Sequence, residues 1–484
     1  MPAPKRKSEN GKTAAVGKKA KGGKEKAEAE ETKVYTLQIS KGKGDPNQSE
    51  TGILISGLMV SEHIGRVRDG VSSQCLFLPH RISGLNSVKI DQIVSHCSAA
   101  HAVLISSNNE VFVMGRNENG QLGIGKEGKG TDVQLPTKLD QKLFDDQKIS
   151  NAACGKGHTL FLSTEGNVFA CGDNSQGQLG IGGSLTSMTR PKKLSFEPTV
   201  KIVACGQAFS MIVDIAGGLY SFGFSEYGQL GNGSDGKTLG KANKYVFNNA
   251  LKPERVIRFV MKGENVKEIR DVEDVSIKMV ACGYNHTIAL DTEGRIFTWG
   301  CGFYGRLGHN STVDEYYPRQ IISFLHFKTC EITGIQASST YTLVSMAHKM
   351  MYLCGQIKSS SSAAEMYFKP VMDISGWRVD SIGCANKSIL IVADEKAIAW
   401  GPSPVYGELA LGDGTDGNTK SSANPKIIPT LERFVNKKVA CGNMFTIFMV
   451  DLSSKKENEE EKRKEFEENV KKFNEFPLYC GFKE

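Results

Sequence analysis

The chain has 484 residues, of which 39% are hydrophobic and 23% are charged, and its formal net charge is +7. This composition predicts a globular protein, and no stretch approaches the roughly 18 uncharged apolar residues of a membrane span. The 12 cysteines include no Cys-x-x-Cys pair and no Cys/His pair at zinc spacing. We therefore expect a soluble, non-secreted protein with free thiols, no metal and no cofactor.

The N-terminal segment, residues 1–48, differs from the rest of the chain in composition. Residues 1–26 contain nine Lys/Arg and two Glu, which equals the whole net charge. With so few apolar residues, the start of this segment cannot bury enough surface to fold. We predict a disordered basic tail, and we expect any contact with DNA to come through this tail alone.

Two basic clusters in the tail are spaced like a two-part nuclear import signal, which an import carrier would bind. The alternative is a tail that merely improves solubility. Ser8 follows the first cluster and is a candidate phosphorylation site. The residues of the two clusters are Lys5, Arg6, Lys7, Lys18, Lys19 and Lys21.

Three kinds of anchor recur seven times between the tails, which indicates an internal repeat of about 50 residues. A glycine follows a strand-like run at Gly57, Gly115, Gly172, Gly223, Gly300, Gly355 and Gly401. A cysteine or small residue precedes a turn at Cys97, Cys154, Cys205, Cys282, Ala337, Cys384 and Cys441. A proline stands ahead of an apolar residue at Pro79, Pro136, Pro191, Pro253, Pro318, Pro370 and Pro425.

The repeats predict an all-β fold in which each unit is a sheet of about four short strands. "HTLFLSTEGNVFACG" (158–172) is typical of two strands joined by a tight turn, and a proline suits a strand edge. The chain begins with a glycine anchor and ends with a cysteine anchor. We predict a seven-bladed β-propeller over residues 49–452, closed by residues 51–57 beside residues 439–451.

The histidines and glycines of the repeat are predicted to be structural. His101, His158 and His286 occupy one repeat position, which Phe, Tyr or Ser fills in the other units. "GIGKEG" (123–128) matches a dinucleotide-binding pattern, but it overlies the repeated "GQLGIG" turn and lacks the strand and helix that such a site needs. We therefore predict no catalytic residues.

Two stretches of extra chain separate Cys205 from Cys282 and are the first candidates for function, since insertions project from a propeller. They are residues 234–252 and residues 259–278. In the second we expect exposed apolar side chains among charges, forming either a partner contact or a strand added to the blade. The candidate residues there are Val260, Met261, Lys262, Gly263, Glu264, Asn265 and Val266. The second candidate surface is the set of turns around Glu226, Tyr227 and Asp235.

The C-terminal segment, residues 453–484, is charged, and residues 453–475 have helical spacing. Phe466, Val470 and Phe473 form a thin apolar stripe on it. We expect a solvated helix here rather than one docked on the propeller.

The repeated motif "ACG..HT......G.(V/I)F..G......G(Q/R)LG" resembles the regulator of chromosome condensation repeat from about residue 51 to residue 452. "EYGQLGNGSDGK" (226–237), "ISGWRV" (374–379) and "WGPSPVYGEL" (400–409) look like the mitotic, centromere-associated branch of that family, rather than the branch that exchanges nucleotide on Ran.

The resemblance implies a propeller that binds small GTPases of the Rac and Ral type and promotes exchange on Ral. It also implies roles in mitosis with chromosome, centromere and microtubule partners, a nuclear or nucleolar location, and association with the spindle or midbody. In this branch the GTPase contact is attributed to the long insertion of the fourth unit, which maps near residues 261–266. The alternatives are a scaffold that only sequesters GTPases and an enzyme with a site in the central channel.

Overall fold

Short alternating strands, separated by glycine-rich turns, fold into consecutive antiparallel meanders. The computed structural model describes residues 36–40, 49–58, 75–126, 130–183, 185–240, 244–263, 268–327, 331–357, 364–402, 404–415, 420–456 and 458–483. Statements about structure below refer to these residues.

The described residues include one α-helix, α1 (Glu459–Phe473), which lies between the last two strands of the chain. In chain order the strands are β1 (Thr36–Ser40), β2 (Thr51–Gly57), β3 (Leu76–Ile82), β4 (Ile90–Val94), β5 (His101–Ser106), β6 (Val111–Gly115), β7 (Val133–Lys138), β8 (Ile149–Cys154), β9 (His158–Ser163), β10 (Val168–Asp173), β11 (Ser187–Lys193), β12 (Val200–Cys205), β13 (Phe209–Asp214), β14 (Leu219–Gly223), β15 (Lys237–Leu239), β16 (Tyr245–Phe247), β17 (Ala250–Arg255), β18 (Val260–Lys262), β19 (Ile269–Asp271), β20 (Ile277–Cys282), β21 (His286–Asp291), β22 (Ile296–Gly300), β23 (Glu315–Gln320), β24 (Ile332–Ala337), β25 (Tyr341–Met346), β26 (Met350–Gly355), β27 (Glu365–Pro370), β28 (Val379–Cys384), β29 (Ile389–Ala393), β30 (Lys396–Gly401), β31 (Ser422–Ile427), β32 (Val435–Cys441), β33 (Phe445–Asp451) and β34 (Leu478–Lys483).

Seven blades surround a central axis, which confirms the predicted propeller. Blade one is β4 to β7, blade two β8 to β11, blade three β12, β13, β14 and β17, blade four β20 to β23, blade five β24 to β27, blade six β28 to β31, and blade seven β32, β33, β2 and β3. The first strands contact one another in the order β4, β8, β12, β20, β24, β28, β32 and back to β4. We call the end with the connections between strands one and two, and between strands three and four, the upper face. The opposite end is the lower face.

The ring closes in blade seven, where the two ends of the repeat array meet as predicted. β2 pairs with β33 along its whole length, from Thr51 opposite Asp451 to Gly57 opposite Phe445. Closure therefore uses seven consecutive residue pairs in the middle of a sheet and leaves neither strand as an open edge.

Each recurring proline lies in the fourth strand of its blade, and in six blades it lies in a β-bulge. In blade two, for example, three residues ending at Pro191 face Cys171 alone, because Lys192 pairs with Ala170 and Met188 with Gly172. A bulge residue has no ladder partner, so the missing N–H of proline leaves no acceptor unpaired. Blade five differs, because Phe368 ends its bulge and Pro370 pairs with Tyr352.

The "GQLGxG" turns tie neighbouring blades together on the upper face. The backbone N–H of a late residue in each such turn donates to a carbonyl in the fourth strand of the next blade. These bonds run from Gly125 to Thr189, from Gly182 to Leu251 and from Gly233 to Tyr316, each at 2.9 Å. The glycine-rich turn that matched a dinucleotide pattern therefore has an architectural role.

Blades four and seven are widened to six strands. In blade four, β18 pairs in parallel with β23 and antiparallel with β19. In blade seven, β34 pairs in parallel with β3 and antiparallel with β1.

The C-terminal helix packs against blade seven, which differs from the expected solvated helix. The ring of Phe473 is buried against Gly52 of β2, where any larger side chain would collide with it. Phe466 and Val470 pack beside it. The stripe was visible in the sequence, but its partner, a glycine in the closing strand, lies 421 positions earlier. No helix among the described residues is long and apolar enough to cross a bilayer.

We expect Phe473→Ala to lower the free energy of unfolding by about 3–5 kcal/mol, because a buried aromatic side chain is lost beside the closing strand. Chemical denaturation measures the change. Arg463→Ala is the control, since its ion pair with Glu467 at 2.9 Å is highly exposed and exposed pairs contribute less than about 1 kcal/mol. Equal stability of the two variants would contradict a closing role for the helix.

Candidate functional site

The first insertion forms a hairpin, β15 and β16, on the upper face of blade three. Lys237 pairs with Phe247, and the Phe247 ring packs on Phe224 with 5.6 Å between centroids. The other apolar side chains of the hairpin face solvent: Leu239 is 67%, Tyr245 69% and Val246 52% exposed. The hairpin is thus anchored through one aromatic residue and presents three unpaired apolar side chains.

Glu226, Tyr227 and Asp235 lie in the connection that leads into this hairpin. The Tyr227 N–H donates to Gln229 Oε1 at 2.8 Å. Asp235 accepts from the Lys237 N–H at 3.0 Å and pairs with Lys237 Nζ at 3.4 Å. The backbone bond to Lys237 lowers the pKa of Asp235. All three predicted residues therefore lie on the upper face, with Asp235 at the base of the hairpin.

The second insertion contains the strand extension that the sequence left open as an alternative. Val260 is only 1% exposed, so the expectation that it is exposed was wrong. It enters the apolar core at the outer edge of blade four, next to Phe259, whose ring contacts Phe297 at 5.1 Å. Met261 and Gly263 are half-buried, whereas Glu264, Asn265 and Val266 lie outside the described residues.

Lys262 forms an ion pair with the buried carboxylate of Glu315 in β23. The same carboxylate accepts from Arg319 Nη1 at 2.7 Å. A buried carboxylate requires such partners, so Lys262 is held against the blade instead of being free for a partner protein.

Strand β23 brings the two predicted surfaces together. Glu315 of this strand forms the ion pair with Lys262 of the second insertion. The carbonyl of the next residue, Tyr316, accepts a hydrogen bond from the N–H of Gly233, which lies in the same connection as Asp235. We call the upper-face loops and insertions on these two blades, residues 224–249 and 301–314, the blade three–four surface.

The upper turn of blade four departs from the hydrogen-bond pattern of the other turns. In four blades a Gln or Glu side chain accepts the backbone N–H two residues earlier and so fixes the turn. The pairs are Gln121 with Asn119 at 2.9 Å, Gln178 with Gln176 at 2.9 Å, Gln229 with Tyr227 at 2.8 Å and Glu408 with Tyr406 at 3.0 Å. Blade four has Arg306 at this position, and a guanidinium can only donate.

The turn of blade four keeps its backbone hydrogen bonds, but its tip has a different conformation. Arg306 Nε donates to the carbonyl of Phe303 at 2.8 Å, and Tyr304 has φ +65°, a left-handed conformation that is unfavourable for an aromatic residue. Phe303 is 56% and Tyr304 48% exposed. "GRLG" resembles "GQLG" in the repeat pattern, so Phe303 and Tyr304 were not predicted. The signal in the sequence was that arginine at position 306 cannot accept the hydrogen bond that the Gln or Glu side chain accepts in the other four turns.

The repeated histidines bridge neighbouring blades and do not form a site. The Nε2–H groups of His101, His158 and His286 donate to Thr159, Ser210 and Thr342 of the next blade at 2.9–3.0 Å. All three rings are fully buried. Burial lowers the pKa of His101 and of His158 to about 3, so these rings are neutral in the folded protein.

The repeated cysteines are equally inert. Burial raises the pKa of Cys205 and of Cys441 to about 12, so their thiols stay protonated. The Cys205 thiol donates to the carbonyl of Ala153 in the preceding blade at 3.5 Å.

We expect stability to fall as the pH drops below about 6.5, because the unfolded chain then binds protons at histidines that stay neutral when folded. Each such histidine contributes about 1.4 kcal/mol per pH unit between its unfolded and folded pKa. His158→Gln should reduce this slope by about that amount, as measured by denaturation from pH 7 to pH 5. The exposed His348→Gln is the control, and equal slopes for both variants would contradict the assignment.

Side chains meet across the central axis of the ring. This is the region in which an enzyme site was the third hypothesis from the sequence. His96 Nε2 lies 2.9 Å from the carbonyl oxygen of Cys282 on the far side of the ring. The Tyr284 hydroxyl reaches the carbonyl of Cys97 and Asn443 Oδ1 at 3.4 Å each. The described part of the chain contains no cluster of ligands suited to a metal ion. The basic clusters and Ser8 of the N-terminal tail lie outside it.

Comparison with known proteins agrees with the repeat over the same stretch. A model of the RCC1-like domain matches residues 57–448. Protein RCC2 of Mus musculus and that of Homo sapiens are each 38% identical to the chain over 392 residues, covering 81% of it and 73% of each relative.

Solved structures show the same fold at low identity. Prp20p of Saccharomyces cerevisiae superimposes with a TM-score of 0.64 at 16% identity, covering 88% of this chain and 95% of Prp20p. Human WBSCR16 gives a TM-score of 0.63 at 20% identity, covering 83% of this chain and 99% of its own.

Proposed function

Because this chain belongs to the RCC1-like domain family, we propose that it binds a small GTPase of the Rac or Ral type and regulates its nucleotide state. The observation that carries this proposal is the exposed apolar hairpin β15 and β16 on the upper face of blade three. Leu239, Tyr245 and Val246 are more than half exposed among the residues that the structure describes. Apolar clusters of this kind typically mark protein interfaces.

Relatives support a protein partner. The chain is 38% identical to Protein RCC2 of Homo sapiens. Prp20p, a neighbour in fold alone, has binding properties towards Gsp1p and histones. For this chain, the GTPase, its Rac or Ral type, and chromatin or microtubule partners are part of the proposal, as is a role in mitosis.

Nucleotide exchange on such a surface needs no covalent chemistry. A factor accelerates nucleotide release when it binds the nucleotide-free GTPase more tightly than the loaded one, because binding then shifts the population towards the empty state. A propeller with a projecting apolar hairpin offers a surface on which such selective binding can occur. A scaffold would bind both states equally and leave the release rate unchanged, so release kinetics separate the two functions.

We expect the triple variant Leu239→Ser, Tyr245→Ser, Val246→Ser to bind nucleotide-free Rac- and Ral-type GTPases at least about tenfold more weakly. This corresponds to about 1.4 kcal/mol, a modest loss for central apolar contacts. Binding is measured by calorimetry, and nucleotide release by fluorescent nucleotide exchange. A second variant replaces residues 263–268 with a Gly/Ser loop and keeps the buried Val260 and the paired Lys262, so it tests residues 263–266 of the predicted contact separately.

The matched control is the double variant Ile215→Ser, Met372→Ser. These side chains are 67% and 68% exposed and lie on the lower face. The proposal requires that the control binds like the wild type and that all variants keep its melting temperature. Unchanged affinity in both the hairpin variant and the 263–268 variant would contradict the proposed surface.

The basic tail supplies nuclear import in this proposal. Yeast RCC1 (Prp20) has been solved bound to Kap60, and the two clusters of this chain have the spacing of a two-part signal. We expect deletion of residues 1–26 to abolish nuclear accumulation of a fluorescent fusion and to remove salt-sensitive DNA binding. A control deletion of residues 27–33 leaves the clusters intact. Nuclear accumulation of the 1–26 deletion at the wild-type level would refute the import signal.

A further inference from the structure

We propose that Phe303 and Tyr304, at the tip of the upper turn of blade four, form a second anchor for the partner, held in place by Arg306. The inference rests on the proposed GTPase binding and adds the chemistry of the contact. The element recognised on the GTPase is an apolar patch flanked by Lys or Arg side chains.

The exposure of this tip has no architectural reason. The corresponding tips of blades one and two carry Glu118-Asn119 and Ser175-Gln176, and their turns close with the same backbone bonds. Gly305 N–H bonds to Gly302 at 3.0 Å, as Gly177 does to Asn174. Polar residues therefore suffice for the turn, and two exposed aromatic rings are an addition to it.

Arg306 fixes the outward conformation of the tip. Its side chain is 95% buried, and its Nε holds the Phe303 carbonyl, which keeps Tyr304 in the left-handed region. Its guanidinium carbon also lies 5.4 Å from the centre of the Tyr304 ring. The main chain of Arg306 still follows the repeat, because its carbonyl accepts from Thr342 Oγ1 at 2.7 Å. Only the tip is rearranged, while the tie to blade five is kept.

Backbone strain of this kind persists only where the surroundings impose it, and it concentrates at functional positions. A glutamine at position 306 would remove the strain by restoring the acceptor that fixes the other turns. The presence of arginine at this position therefore points to a requirement for the exposed rings.

The charges around the tip indicate the partner. Electrostatic interactions connect Tyr227 of blade three with Glu226, Cys301 and Asp314, so the turns of blades three and four face each other. Asp314 accepts from the Gly302 N–H at 2.8 Å, and neither Glu226 nor Asp314 has a basic side chain within ion-pair distance among the described residues. Two carboxylates that accept hydrogen bonds but form no ion pair lie beside the exposed rings, and they complement an apolar patch with a basic rim.

The tip also continues the proposed interface. The exposed Val313 lies in the same loop as the tip. The hairpin β15 and β16 lies in the corresponding connection of the neighbouring blade three. The hairpin and the tip are therefore two apolar projections on one face, and Glu226 and Asp314 lie in the same two connections.

The test uses the full-length chain and nucleotide-free Rac- and Ral-type GTPases as probes. In the first variant, Phe303→Ser with Tyr304→Asn, the rings are removed, while asparagine tolerates the left-handed conformation. We expect binding to weaken at least about tenfold. The matched control, Glu118→Ser with Asn119→Ala, changes the equivalent tip of blade one and should bind like the wild type.

The role of Arg306 is tested by a pair of variants. Arg306→Gln keeps both rings but restores an acceptor, so the tip should relax and binding should weaken about as much as on removal of the rings. Arg306→Lys keeps a donor for the Phe303 carbonyl and should retain most of the affinity. Loss of binding in both variants alike would overturn the positioning role, since a purely structural arginine would not distinguish them.

The charge contribution is tested with Glu226→Gln and Asp314→Asn together. Association should become slower and less sensitive to salt. Wild-type affinity in the ring variant, together with lost binding in the hairpin variant, would refute this inference and leave the proposed function intact. Failure of the wild-type protein to bind either GTPase type would overturn both.

Discussion

The ring depends on a hydroxyl group near the start of the second strand in several blades. Each of these hydroxyl groups makes two hydrogen bonds to the preceding blade. Thr159, Ser210 and Thr342 each donate to a main-chain carbonyl in the upper turn of the preceding blade, at 2.7–2.8 Å, and accept from its histidine. Two buried donors and two buried acceptors are satisfied at one point. The upper turns of a blade are therefore held by the blade that follows it.

This arrangement explains how the upper face can vary without loss of the fold. The tie uses the carbonyl of residue 121, 178 or 306, not the side chain. The carbonyl of a glutamine and that of an arginine accept this bond equally well. The residue two positions earlier nevertheless differs, because Tyr304 has a positive φ and its equivalents Asn119 and Gln176 do not. Upper-face turns of this propeller can therefore differ individually while the main-chain frame stays the same.

Features that repeat could be predicted from the sequence, whereas features that depend on a single distant contact could not. The blades, their closure and the structural histidines follow from seven copies of one pattern. The burial of Val260 and the docking of Phe473 depend on contacts with blade four and with Gly52, which no local pattern reveals. The unusual tip beside Arg306 could be predicted only from the fact that an arginine side chain cannot accept a hydrogen bond, whereas glutamine can. Pro370 matched the anchor by residue type but lies two positions beyond the bulge.

The pairing of β1 with β34 places the two ends of the described chain side by side, with Thr36 opposite Lys483. A load that pulls these ends apart acts on the outermost strand pair of blade seven, where the ladder bonds break one after another instead of together. From the C-terminal side, peeling would pass through β34 and α1 before it reached β33, whereas from the N-terminal side β2 is the next strand after β1. The propeller would thus yield first at its rim, and tethering at the termini would expose the closing strands while the upper face stayed assembled.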